Sequence, residues 1–74
     1  MHRETLEKFA ESRDLDLDVI IDTENPEGRW YFVNYDLHYR HPVTPSLYRE
    51  IIQTLETNGA EAFDNIDLEA WELF

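Results

Sequence analysis

The chain has 74 residues, 42% of them hydrophobic, and its 17 Asp and Glu against 6 Lys and Arg leave a formal charge of −11. That length allows one domain, residues 1–74, and its aromatic and aliphatic residues offer enough apolar surface to exclude disorder. No apolar stretch approaches the ~20 residues of a membrane span, a charged segment stands where a signal core would be, and the absence of Cys excludes disulfides and thiolate metal sites, so a cytoplasmic protein is expected.

Residues 3–13 read as a short helix, with Leu6, Phe9 and Ala10 on one face and Glu4, Glu7, Lys8 and Glu11 outward. From Leu15 the period changes to two: Leu15, Leu17, Val19 and Ile21 alternate with Asp14, Asp16, Asp18, Ile20 and Asp22, which predicts a strand. Thr23 to Gly28 supplies turn chemistry through Pro26 and Gly28. A return strand then begins at Arg29 and runs to about Tyr35, with Tyr39 as its outer limit. It places Tyr31, Val33, Tyr35 and Leu37 on one face, and Trp30 and Phe32 on the face opposite the expected core. Pro42 and Pro45 are expected to end the sheet region, since neither can donate to a ladder.

Thr44 as N-cap and Pro45 at the first helical position open the second helix, whose stripe is Leu47, Ile51 and Leu55 beside Tyr48 and Ile52; Asn58 and Gly59 close it. For residues 60–74 two readings stand. Asp67 could cap a last helical turn and a half, which is preferred, or Trp71 and Leu73 could alternate in an edge strand. The expected fold is therefore α+β in the order α-β-β-α with a short terminal helix or edge strand, two helices covering one face of a two- to three-stranded antiparallel sheet.

A charge of −11 repels nucleic acids and anionic membranes, and the six cations are scattered along the chain, so direct nucleic-acid or membrane binding is disfavoured and a basic partner favoured. Solubility, or adaptation to a salty host in which lysine is thinned out, would also account for the acidity. The sharpest feature is the row Asp14, Asp16, Asp18 and Asp22, extended by Glu24 and Glu27 in the turn and by Asp64, Asp67, Glu69 and Glu72 in the tail. On a strand, alternate side chains stand ~6.6–6.8 Å apart. That is about twice the ~3.4 Å rise per phosphate of one DNA strand, so the row could occupy a groove that ordinarily holds a nucleic-acid backbone. A solvated strand face that deters edge-to-edge pairing would carry the same charges.

Trp30, Phe32, Tyr35 and Tyr39 form a second candidate surface, an aromatic patch for a partner or for a homodimer, unless the terminal segment folds across it. Asp36, His38 and His41, with His2 a distant fourth, are the only metal-like grouping, and ordinary surface hydrogen bonding accounts for them more simply. Ser12, Thr44, Ser46 and Thr54 occupy capping or exposed helix positions, and Gly28 and Gly59 are too few for a phosphate loop, so no enzyme and no cofactor is expected.

Together these features lead to a small non-enzymatic binding protein that covers a basic surface on a nucleic-acid-handling enzyme or complex and inhibits it by nucleic-acid mimicry. Anti-restriction and anti-CRISPR inhibitors share this composition, which is an analogy and not a motif. The alternative is a structural or regulatory subunit docking through Trp30 and Phe32, its acidity serving solubility or salt adaptation.

Overall fold

The computed structural model describes all of residues 1–74. Helix α1 spans Arg3–Ser12 and buries Leu6, Phe9 and Ala10, the face its spacing predicts. Its end departs from expectation. Asp14 takes a left-handed conformation (φ 55), Leu15 N–H donates to the Ala10 carbonyl at 2.8 Å and Asp14 N–H to that of Glu11 at 3.2 Å, the paired closure of a Schellman motif. Asp14 is thus a helix-terminating residue and not the first tooth of the strand.

Strand β1 spans Asp16–Ile20. Leu15, Leu17 and Val19 are half-buried, with Leu15 and Leu17 packed against the core, while Asp16 and Asp18 are exposed on the opposite face. The strand ends before Ile21 because Asp22 folds back: its Oδ1 accepts the N–H groups of Glu24 at 2.9 Å and Asn25 at 2.7 Å. Gly28 completes the turn at φ 94, and a Cβ there would lie 2.5 Å from Val19 Cγ2, so both backbone and space demand glycine.

Strand β2 spans Arg29–Asn34 and pairs antiparallel with β1, Leu17 opposite Phe32 and Asp18 opposite Tyr31. Phe32 lies on the helix-covered face with no exposed surface, its ring 4.9 Å from that of Phe9, and Trp30 packs against the same core. The expectation that these two residues stand opposite the core is overturned. Both faces of β2 are buried, so a period of two marks no inside.

The chain then turns where a single long strand was expected. Asn34 Oδ1 accepts from Leu37 N–H at 3.1 Å, His38 adopts φ 57, and β3 (Tyr39–Pro42) returns alongside β2. Pro42 is the last residue of β3, where the prolines were expected to end the run of strands before the second helix. Val43 N–H donates to the Trp30 carbonyl, so by alternation the missing Pro42 donor faces away from β2, beyond the reach of the neighbouring strand.

Helix α2 (Pro45–Asn58) starts and stops as predicted: Thr44 Oγ1 accepts from Leu47 N–H at 3.1 Å, Pro45 opens it and Gly59 ends it at φ 81. A 3-10 helix, Ala60–Asn65, follows and buries Phe63. The terminal residues form no helix capped by Asp67. The edge-strand alternative holds: β4, Glu72–Leu73, pairs antiparallel with β3 and carries the sheet to four strands in the order β1-β2-β3-β4.

Both helices and the 3-10 helix cover one face of the sheet, over a core of Leu6, Phe9, Phe32, Leu47, Ile51 and Phe63 with smaller neighbours. The other face carries no helix, yet Tyr31 and Val33 are buried on it. Arg40 reaches across from β3, its guanidinium carbon 4.7 Å from the Tyr31 ring centre and 5.9 Å from that of Phe74. No helix is long and apolar enough to cross a membrane.

Candidate docking surface

The arginines are largely consumed by the fold. Arg13 Nη1 donates to the carbonyls of Phe63 at 2.9 Å and Ile66 at 2.7 Å, bolting the end of α1 to the tail. Arg3 pairs with Glu7 at 2.8 Å and lies over Trp30; Arg40 pairs with Glu72 at 3.4 Å. The Asn25 carboxamide, with its oxygen toward Arg29, accepts from Nε at 2.9 Å and Nη2 at 3.0 Å. Lys8 and Arg49 stand exposed on the helices. Only Glu7 and Glu72 among the carboxylates enter ion pairs, which leaves fifteen of the seventeen outside any ion pair.

The acidic residues singled out in the sequence divide by role. Asp16 and Asp18 are exposed side by side along β1; Asp14 closes α1; Asp22 is occupied by its turn, where the N–H groups of Asn25 and Glu24, and Arg29 nearby, hold its carboxyl below the usual carboxylate range. Glu24 and Glu27 are exposed in the turn beyond the strand. The expected four-tooth row along one strand therefore contracts to two teeth. Asp18 is itself engaged on both oxygens, with Val19 N–H at 3.0 Å and the Tyr35 hydroxyl at 3.4 Å, and its charge raises the Tyr35 phenol above its ordinary value.

Two acids not singled out for binding join the surviving pair. Glu7 and Glu11, four residues apart on α1, face β1 across a shallow groove whose floor is Ala10, Leu15 and Leu17 and whose far side begins at Asp16. Their place beside the strand depends on how α1 docks, which helical periodicity cannot reveal. β1 is the outermost strand on this side of the sheet, so carboxylates flank its free edge on both faces.

Of the aromatic candidates, Phe32 is fully buried and Trp30 half-buried, whereas Tyr35 and Tyr39 are exposed. They belong to an apolar corner around the β2–β3 turn with Leu37, Trp71, Leu73 and Phe74, where Phe74 N–H donates to the His38 carbonyl and Phe74 stacks edge-on against Tyr35. Asn34, Leu37, Tyr39 and Trp71 line a cavity of about 380 Å³ there.

Asp36 and His38 lie in the exposed β2–β3 turn, while His41 is buried in β3. Both His41 ring nitrogens are engaged: Nδ1 meets the Pro42 carbonyl at 2.9 Å and Nε2 accepts from Ala70 N–H at 3.0 Å, which makes the ring a neutral Nδ1–H tautomer. No group of three His, Asp or Glu side chains converges in metal-binding geometry. Compared with protein-family models, with curated proteins and with solved structures, the chain matches none, and the functional reading rests on its own chemistry.

Proposed function

We propose that this protein is a non-enzymatic inhibitor that docks its acidic β1 side onto a basic, nucleic-acid-binding surface of another protein and excludes the nucleic acid by occupancy. The observation that carries this reading is the imbalance between signs: four of the six cations are engaged by hydrogen bonds or ring contacts within the chain, while fifteen of the seventeen carboxylates form no ion pair. Unpaired like charges held on a small body cost stability through mutual repulsion, which an opposite surface would relieve. Asp16 and Asp18, with Glu7 and Glu11 across the groove and Glu24 and Glu27 beyond the strand, supply the field that would steer the encounter.

The test is capture of partners from the native host's lysate at low salt, followed by separate elutions with duplex DNA, RNA and high salt. A basic nucleic-acid-handling protein is expected, released by nucleic acid and by salt, and lost when Asp16→Lys and Asp18→Lys are combined. Capture that ignores both salt and the double charge reversal would sink the reading.

A further inference from the structure

We propose that the free edge of β1 receives an extended arginine- or lysine-bearing segment of the partner as a fifth strand. This rests on the reading above that the partner is basic, and states how it is held. β1 is the terminal strand of the meander, so half of its peptide groups have no ladder. Which half follows from one bond. Val19 N–H donates to the side chain of Asp18 and therefore points off the sheet, and the two-residue alternation turns the Leu17 N–H and carbonyl the same way. Unpaired strand edges accept extended peptides, and the side chains around the edge select which ones.

Here the selection is electrostatic on both faces. Glu7 and Glu11 stand on the helix side of the edge, Asp16 and Asp18 on the other, and of these four only Glu7 has a cation of its own. An incoming strand projects alternate side chains to opposite faces, so basic residues at either parity meet carboxylates. A second copy of this chain is refused by the same geometry: β1 laid against β1 would bring aspartates together with no counter-charge. Asp18 covers the Val19 N–H while the edge is vacant, and it turns to the arriving cation when that N–H is taken up by the new ladder. The charges thus choose the occupant, and the backbone holds it.

The experiment uses the whole protein with two capped heptapeptides of equal charge, one alternating arginine with valine and one alternating arginine with proline. Amide hydrogen exchange at Leu17 and Val19 is read by NMR. The arginine–valine peptide is expected to slow exchange at both amides by about tenfold or more at saturation, with the arginine–proline peptide binding more weakly and slowing neither. The exposed double variant Glu7→Gln/Glu11→Gln is expected to weaken binding of the arginine–valine peptide severalfold and flatten its salt dependence. Equal binding of both peptides with no protection at Leu17 and Val19 would overturn strand addition while leaving an electrostatic docking surface intact. Failure of both peptides to bind at low salt would overturn the basic-partner reading itself.

Discussion

His41 is the residue at which burial, hydrogen bonding and charge meet. It is 6% exposed, and its Nε2 can accept from Ala70 N–H only while the ring is neutral. Desolvation lowers its pKa below 6.5, against the raising influence of the Pro42 carbonyl and the Glu72 carboxylate. Because the folded chain binds this proton less readily than the unfolded one, the stabilisation is complete above about pH 6.5 and is lost as pH falls from there through the lower folded value. Urea titrations between about pH 5 and pH 7.5 are expected to show the midpoint dropping on acidification, with the drop reduced in His41→Gln. Exchange of the Ala70 amide should accelerate over the same interval, since a protonated Nε2 would confront that N–H as a second donor. Asp14 and Asp22 show the same contest between readings at single positions. Each has the right charge and spacing for a strand row, yet each is recruited by a local backbone closure that alternation does not encode.

Among the elements, the most exacting connection is between α1 and the tail. Phe9 meets Phe63 at 5.2 Å between ring centres, and Arg13 serves two carbonyls of the tail with one nitrogen. Arg13→Ala is expected to cost about 2–3 kcal/mol, read as a lowered urea midpoint at unchanged slope, because two charge-assisted hydrogen bonds go and the Ile66 carbonyl loses its donor, while that of Phe63 keeps Ile66 N–H. The helices are legible in the sequence: Leu6, Phe9 and Ala10 mark one face of α1, and Thr44, Pro45 and Gly59 bound α2 by chemistry that is local to each residue. The strands were readable only in part. Where one face is wet, as on β1, alternation gives the correct inside; where both are covered, as on β2, Trp30 and Phe32 are assigned to the wrong side. β3 escapes notice because His38 replaces the usual glycine at a left-handed turn position, so the reversal after Asn34 carries no glycine signal. The acidic site was half visible, since Asp16 and Asp18 follow from the strand whereas Glu7 and Glu11 join them only through tertiary docking.

For the molecule as a whole, net charge against size decides the behaviour in salt. Its principal extents are 36 × 27 × 18 Å. At about 0.01 M salt the screening length of ~30 Å spans most of the body, so carboxylates on opposite sides repel; at about 1 M it is ~3 Å and each acts alone. Thermal midpoints are therefore expected to rise between those limits, while affinity for a basic partner falls over the same range, the two measured on one preparation by calorimetry and by titration. Opposite signs are the signature of anions left without internal cations; a flat thermal midpoint would mean that their repulsion is negligible. The strand order carries a separate consequence for how the chain finds its shape. β1, β2 and β3 are neighbours in the sheet and along the chain, so their two hairpins close short loops and can zip independently of distant segments, whereas β4 reaches β3 only after α2 and the 3-10 helix. The meeting of Phe9 with Phe63 instead bridges most of the polypeptide and carries the heaviest loop-closure entropy. Assembly is thereby ordered from the middle outward, the hairpins serving as the template on which both ends of the chain are finally clasped.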